Sequence, residues 1–300
     1  MTTLPDVSSE SMTPPIAPTV DQAYAYCRAI AHRYGANFSV GFRFLPRIKR
    51  RAVYAAYAYC RWADDIADEE SDRGDIGSRL DAWQRELDAC YAGTPTHAIT
   101  IALADALRHF VIPKSAFVAL LDGCRQDMTK RRYETFAELL HYCDLVATSI
   151  SDISLAIFGY RSEAALGYGR NLATALQLTN VTRDVGDDLQ RDRIYLPQEE
   201  LRGFGVSEAD LLRRSDSEAI RRLIEFQIAR AEQYFAAADP LLHELSFDAR
   251  FAVLLMGGVY ATVLGRLKRD PLVVLHRRVS LTKREKLLVI GARVLRPHFV

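Results

Sequence analysis

Two stretches of this sequence place carboxylates at the spacing of one helical face. In residues 173–197, small or polar side chains recur at steps of three and four residues, and they are Ala173, Gln177, Asn180, Asp184 and Asp188. Apolar residues flank this seam, which is typical of a helix that lines a polar site. Residues 51–70 show the same spacing, in one face formed by Tyr54, Tyr57, Arg61, Asp64 and Asp68.

The carboxylates of the two seams favour a hard cation. A single pair of aspartates four residues apart is explained well enough by a solvent-exposed helix face. Two helices that each carry such a pair are not explained in this way. Like charges four residues apart cost an isolated helix about 0.2–0.5 kcal/mol per pair, so a counter-charge is expected. Oxygen ligands without nearby His or Cys suit Mg²⁺, which proteins typically hold with one or two carboxylates and substrate phosphates. We therefore predict that the seams, with Arg61 and Arg183 beside them, bind a diphosphate bridged by Mg²⁺.

The two motifs are similar to those of a known family. The first is Asp64-Asp65-Ile66-Ala67-Asp68, a DDxxD motif, and the second runs from Asn180 to Asp188 as NVTRDVGDD. Together with LPRIKRRAVYAAYAYCR before the first motif and DRIYLPQEEL after the second, they resemble the squalene/phytoene synthase family from about residue 22 to residue 290. DDxxD alone is a weak signal, whereas the ordered set at this spacing is specific.

The resemblance implies a magnesium-dependent enzyme that condenses two identical prenyl diphosphates head to head. It implies two or three Mg²⁺ ions on a ligand set consisting of Asp64, Asp68, Asn180, Asp184 and Asp188. Asp65 and Gln177 would orient those ligands. The metal ions and arginines would neutralise the departing diphosphate, and apolar walls would protect the carbocation from water. NADPH would be needed only if a reductive second step takes place, and no GxGxxG fingerprint is present.

The resemblance also assigns residues outside the two motifs. Tyr195 lies in the segment after the second motif, which ends at Pro197 and would contact diphosphate. Tyr142 matches a pocket tyrosine, and Tyr260 and Arg278 match further pocket and diphosphate contacts. Plain core packing explains Tyr142 equally well, and Arg277 competes with Arg278 for its role. Near the first motif, Phe38, Phe42 and Tyr54 have the spacing of core aromatics, or of the wall of an apolar tunnel for a prenyl chain.

The substrate's chain length is the least determined feature. Phe42 and Tyr54 would narrow the tunnel, so we expect farnesyl diphosphate and a C30 product of the presqualene diphosphate or squalene type. The alternative is geranylgeranyl diphosphate and phytoene, a C40 carotenoid precursor. The family's AGTVG-like run is replaced by Ala147-Thr148-Ser149-Ile150-Ser151, and the serine of its SxSF-like segment is missing at residues 34–38. A non-catalytic assembly factor and a terpene cyclase or chain elongase are weaker alternatives.

The elements that must position these residues are helical. Helical periodicity predicts helices over 20–34, 47–68, 76–91, 97–110, 114–127, 134–158, 162–190, 207–213, 216–238, 246–268 and 281–293, and no strand. We expect an all-α fold, one large helical bundle around a central cavity, over residues 20–300. Residues 1–19 carry four prolines and no helical period, so we expect a disordered tail.

Composition limits the partners and the compartment. The net charge of +1 gives no electrostatic case for nucleic acid. Five scattered cysteines without a CxxC pair predict buried free thiols in a reducing compartment. The N-terminus lacks the pattern of a signal peptide. The apolar run Phe251–Gly265 is too short to span a bilayer and is interrupted by Gly257-Gly258. We expect a cytoplasmic protein whose contact with a membrane is at most peripheral.

Overall fold

The computed structural model describes residues 18–34, 39–68, 75–282, 284–286, 288–289 and 298–299, with the side chains of 39, 40 and 68 left aside. In these residues the regular structure is helical. The α-helices are α1 Val20–Tyr34, α2 Ser39–Phe42, α3 Arg47–Asp68, α4 Ile76–Tyr91, α5 Ala98–Leu107, α6 Lys114–Thr129, α7 Phe136–Cys143, α8 Ser149–Phe158, α9 Ala164–Arg183, α10 Val185–Gln190, α11 Gln198–Phe204, α12 Glu208–Leu212, α13 Glu218–Ala238, α14 Leu241–Glu244, α15 Phe247–Arg269 and α16 Val273–His276.

The helices surround α9, which packs against α13, α8 and α15. α9 approaches α8 closely at Gly169, where a Cβ would lie only 2.6 Å from Leu155 Cδ1. Most of the buried apolar side chains form one large cluster from α1 to α16, and a small second cluster joins α15 to the residues after α16. The prediction of an all-α bundle is therefore confirmed. The predicted tail at 1–19 falls almost wholly outside the described residues.

The predicted helix over 134–158 is interrupted by a π-helical turn, Asp144–Thr148, between α7 and α8. Two contacts accompany this turn. Gly123 of α6 leaves room for Val146, whose Cγ1 would lie 2.5 Å from a Cβ there. Ser149 donates its hydroxyl to the carbonyl of Leu145 at 2.5 Å. A π-turn inserts one residue into the helix and rotates the next turns about the axis, so α8 presents a different face to α9 than a continuous helix would.

The predicted helix over 162–190 is also wrong as one continuous element. It breaks at Asp184, whose backbone leaves the helical region at φ −96° and ψ 6°, and α10 begins one residue later. Gly186, the second residue of α10, lies against α16, where a Cβ would be 2.6 Å from the carbonyl oxygen of Val274. Glycine is needed at this position because another residue would push α16 away.

The predicted helix over 246–268 is confirmed as α15, which is shifted by one residue at each end. α15 continues through both glycines, and a Cβ at Gly257 would collide with the ring of Phe299. By length and composition α15 is the one described helix that could cross a membrane, yet 67% of its most apolar window is buried inside the protein. It is therefore placed as a core helix.

The short helices α2, α11, α14 and α16 are absent from the predictions, because four to seven residues are too few to establish a helical period. The last predicted helix, 281–293, falls largely outside the described residues. All five cysteines are buried and free, as predicted. Burial raises the pKa of the Cys27 thiol to about 12, which keeps it protonated and unreactive at neutral pH.

Candidate active site

A deep cavity lies between α3, α8, α9 and α15. It encloses about 1200 Å³ of space between atoms, part of it open to solvent. Apolar side chains such as Val53, Leu172 and Met256 form most of its wall. Tyr57 and Cys60 reach it from α3, and Ala173, Gln177 and Asn180 reach it from α9. Tyr57 of the first seam and three residues of the second therefore line the same cavity.

The polar end of this cavity leads to both acidic motifs. Asn180 and Gln177 lie at the wall, and Asp184 comes one helical turn after Asn180. On α3, Asp64 comes one turn after Cys60 and accepts a hydrogen bond from the Cys124 thiol at 3.9 Å. Tyr57 also lies close enough to Asp64 and Asp65 for both charges to act on its hydroxyl. An apolar cavity with carboxylates beyond one end can hold a hydrocarbon chain with a charged head group.

Asp184 is held between two guanidinium groups. Arg183 donates to its two carboxylate oxygens at 2.7 and 2.5 Å, and Arg278 donates to the same oxygens at 2.8 and 3.1 Å. Arg183 is buried and also hydrogen-bonds to Tyr260. The side chain of Arg278 is 55% exposed, so it is the partner that can turn toward a ligand.

Asp188 sits in a different electrostatic environment from Asp184. Burial and the nearby charge of Asp184 raise its pKa to about 7, against the opposing effects of Arg191 and Arg193. Burial and a neighbouring like charge both disfavour the ionised form of a carboxylate. The environment of Asp188 is thus the one that a bound divalent cation would relieve.

The side chains at the second motif fit a magnesium ion. The Oδ1 atom of Asn180 is buried and has no hydrogen-bond partner among the described residues, while its amide nitrogen donates to Gln177 at 3.3 Å. A buried acceptor without a donor is costly, and a cation would satisfy it. The structure brings no three acidic, histidine or cysteine side chains together as a ready metal site in its described part, and the side chain of Asp68 is outside that part.

At the first motif, Arg61 and Asp65 are paired with each other one helical turn apart. The guanidinium group of Arg61 also lies 4.9 Å from the ring centre of Tyr34 in α1. Its Nε atom is buried without a hydrogen-bond partner in the described chain. Arg61 is thus fixed beside the motif and keeps one donor for a ligand.

Sequence reasoning missed Asp127, which binds two of the predicted tyrosines. Tyr142 and Tyr195 donate their hydroxyls to its carboxylate at 2.7 and 2.9 Å, and Arg193 donates to its carbonyl at 3.1 Å. Burial, then the charge of Asp127, raises the pKa of Tyr142 well above its ordinary value. A signal was present, because Asp127 continues the buried seam of α6 that passes through Leu120 and Cys124.

The predicted aromatic wall is found only in part. Phe42 lines the cavity, but Tyr54 is not among the lining residues and packs edge-on against Phe42 with ring centres 6.3 Å apart. The expectation that Tyr54 narrows the cavity directly is therefore wrong. Phe38 lies outside the described residues. Ile150 and Ser151 both line the cavity. Gly169 makes room for Ser151, because a Cβ at residue 169 would lie 2.6 Å from the Ser151 hydroxyl.

An all-α bundle around such a cavity defines a class of protein, the isoprenoid synthase-like prenyltransferases. The comparisons with known proteins narrow this class to a family. The sequence profile described as squalene/phytoene synthase matches residues 31–285, so the chain belongs to this family. Its members join prenyl diphosphates head to head.

Individual relatives agree with this assignment. The chain is 33% identical to the 15-cis-phytoene synthase of Synechococcus elongatus over 294 residues, which covers 93% of this chain and 94% of that protein. It is likewise 33% identical to the phytoene synthase of Arthrospira platensis, with the same coverage. Among solved structures, it is similar to a dehydrosqualene synthase in complex with a ligand, with a TM-score of 0.84 and 27% identity over 93% of this chain and 98% of that one. The squalene synthase HpnC of Alicyclobacillus acidocaldarius gives a TM-score of 0.80 at 29% identity, over 84% of this chain and 95% of that one.

Proposed function

We propose that this protein condenses two molecules of geranylgeranyl diphosphate to phytoene. The observation that most supports this proposal is the 33% identity to phytoene synthases over 93% of the chain. This substrate was the alternative to farnesyl diphosphate in the sequence analysis, and the relatives favour it over that first expectation. The product places the protein at the entry to carotenoid synthesis.

The side chains at the cavity support this reaction. Ionisation of the first substrate separates an allylic carbocation from diphosphate, and Arg278, freed from Asp184, is placed to hold the leaving group. Mg²⁺, held by Asn180, Asp184 and Asp188 with Asp64 and Asp68, would supply charge neutralisation at that diphosphate. The apolar wall keeps water from the cation, which alkylates the double bond of the second substrate.

The overall stoichiometry needs no external reductant. Two C20 chains leave two diphosphates behind, and loss of two protons gives the C40 hydrocarbon. Squalene, in contrast, requires a hydride in place of one proton loss. NADPH therefore enters the proposal only for a reduced C30 product.

A product assay tests the proposal. Purified protein is incubated with Mg²⁺ and either geranylgeranyl or farnesyl diphosphate, with and without NADPH, and the hydrocarbons are identified by gas chromatography and mass spectrometry. We expect phytoene from geranylgeranyl diphosphate, at a rate that NADPH does not change. C30 products from farnesyl diphosphate with no phytoene would overturn this choice of substrate.

Farnesyl diphosphate stays as a second candidate substrate because two observations favour it. Two similar solved structures are a squalene synthase and a dehydrosqualene synthase, and Phe42 lies in the cavity wall. Replacing Phe42 by alanine removes a ring from that wall. If Phe42 limits chain length, Phe42→Ala should raise kcat/KM for geranylgeranyl relative to farnesyl diphosphate by roughly 10-fold or more.

A further inference from the structure

Three aromatic side chains form an exposed edge where α2, α3 and α15 meet. Phe247 is 83% exposed and Phe44 is 54% exposed. The ring of Phe44 packs edge-on against Phe251 at 4.6 Å, and Phe247 and Phe251 are one helical turn apart on α15. These three residues share one surface, here called the aromatic edge. Single exposed apolar residues are ordinary, whereas a cluster of them marks an interaction surface.

Unpaired arginines lie beside the aromatic edge. None of the three forms an ion pair with a carboxylate of the described chain, and they are Arg28, Arg43 and Arg50. The neighbouring cations differ, because Lys49 is paired with Asp248 and Arg51 with Asp21.

These arginines are close together. Arg50 donates to the carbonyl of Arg43 at 3.0 Å, and Arg28, Arg43 and Arg50 all act on the hydroxyl of Tyr54. In a chain with a net charge of only +1, this is a local excess of positive charge.

The aromatic edge is the outer side of a cavity wall. Phe42 of α2 and Ala252 and Val253 of α15 line the cavity, whereas the exposed Phe44 and the half-buried Phe251 are not among its lining residues. The two elements are in close contact, since a Cβ at Gly41 would lie 3.1 Å from the carbonyl oxygen of Ala252. The elements that carry the exposed edge therefore also line the apolar cavity.

We propose that the aromatic edge and its three arginines dock the protein on the surface of an anionic lipid bilayer. Phenylalanines that enter the interface and arginines that pair with acidic head groups are the features of peripheral membrane binding. A second copy of the chain fits less well, because a two-fold contact here would set unpaired arginines against one another. The docking has a use that rests on the proposed function, since a C40 hydrocarbon must pass from the cavity into lipid.

Vesicle flotation tests the docking. The whole protein is mixed with vesicles of phosphatidylcholine alone or with phosphatidylglycerol, and binding is measured across salt concentrations. We expect flotation with the anionic vesicles that weakens as salt rises. Phe44→Ser/Phe247→Ser and Arg43→Gln/Arg50→Gln should each lower the partition coefficient on the order of tenfold. Val111→Ser, at a 95% exposed site, and Arg222→Gln/Arg269→Gln are the matched controls and should float normally.

A label placed in the edge gives a second readout that does not depend on loss of binding. Because the five native cysteines are buried, a Phe247→Cys variant can carry one polarity-sensitive dye. Its emission should shift to the blue with anionic vesicles, whereas a dye on Val111→Cys should not respond.

Three results would overturn the docking proposal. They are absence of flotation, flotation unaffected by both double variants, and a dimer in sedimentation that Phe44→Ser/Phe247→Ser dissociates without any vesicle binding.

Activity on detergent-dispersed substrate separates the docking proposal from the proposed function. The two double variants should keep their activity on this substrate. Wild-type protein that floats with vesicles but makes no C40 product would support the docking and contradict the proposed function.

Discussion

Arg278 and Asp184, 94 residues apart in the chain, form a two-bond pair one helical turn beyond the cavity-lining Asn180, with Nε–Oδ1 at 2.8 Å. The same carboxylate is bound from the other side by Arg183. Asp184 is thus shared between a buried arginine and an exposed one. When a cation and a diphosphate bind together, the cation would bind Asp184 and the diphosphate would bind Arg278. The ion pair would therefore open as the substrate binds.

Replacing Arg278 should therefore impair catalysis. We expect Arg278→Ala to lower kcat/KM by roughly 10²-fold or more, because a charge-assisted contact to the leaving group is lost. Steady-state kinetics measures this. Arg277→Ala is the matched control, since Arg277 is also exposed but forms no ion pair with a described carboxylate. Equal losses in the two variants would contradict the assignment of Arg278.

Metal binding should depend on Asn180. Its buried Oδ1 lacks a partner among the described residues, so Mg²⁺ should raise the melting temperature of the wild-type protein and EDTA should reverse the effect. In Asn180→Ala the Mg²⁺-induced rise should be much smaller, and activity should fall. Asn171→Ala, at a half-buried amide on the same helix, serves as the control. An undiminished thermal response in Asn180→Ala would exclude this residue as a ligand.

Asp127 should act through the two tyrosines that it binds. In Asp127→Asn the two phenolic donors lose a charged acceptor, and we expect a loss of about 1–3 kcal/mol in the free energy of unfolding. A change in kcat beyond that explained by unfolded protein would indicate that Tyr142 and Tyr195 are positioned for the reaction. Denaturant melts and kinetics at saturating substrate separate the two effects. Asp122→Asn, on the exposed side of α6, should change neither.

Gly186 should resist even the smallest substitution. A Cβ there would meet the Val274 and Leu275 carbonyl oxygens at 2.6 and 2.8 Å, so Gly186→Ala must displace α16 and the Arg278 segment after it. We expect a destabilisation of roughly 1–3 kcal/mol and reduced activity. Gly203→Ala is the control: no atom lies within 4 Å of its Cβ, and alanine in that helix should be neutral or stabilising by about 0.5–1 kcal/mol.

Glu86 should make stability depend on acidic pH. Although burial opposes it, hydrogen bonds from Thr100, His97 and Thr96 lower the pKa of this carboxylate. A lowered pKa in the folded state stabilises the protein above the unfolded pKa of about 4.5, and this contribution is lost as pH falls through the folded value.

Glu86→Gln should therefore cost about 1–3 kcal/mol at pH 7 and progressively less below about pH 4. Urea melts across pH measure the difference between the variant and the wild type. Glu225→Gln, at an exposed position of α13, should show no such trend. A cost for Glu86→Gln that stays constant from neutral pH down to about pH 3 would contradict the ionic origin.

Local periodicity predicted the helices well where they are long. The bounds of α1, α3 and α4 agree with the sequence prediction to the residue, because each has an apolar stripe over at least four turns. The breaks at the π-turn and at Asp184 were missed, since their causes are partners distant in sequence, such as Gly123 for Val146 and Arg278 for Asp184.

The candidate site divides in the same way. The order and spacing of the acidic motifs determined the family and placed Gln177 and Asn180 on one face, because a helix fixes which residues i, i+3 and i+4 align. Only the tertiary structure decided that Arg278 binds Asp184 and that Tyr54 packs against Phe42. The same holds for Asp127, which accepts hydrogen bonds from both Tyr142 and Tyr195. Those contacts join different helices, and helix periodicity carries no information about which faces meet.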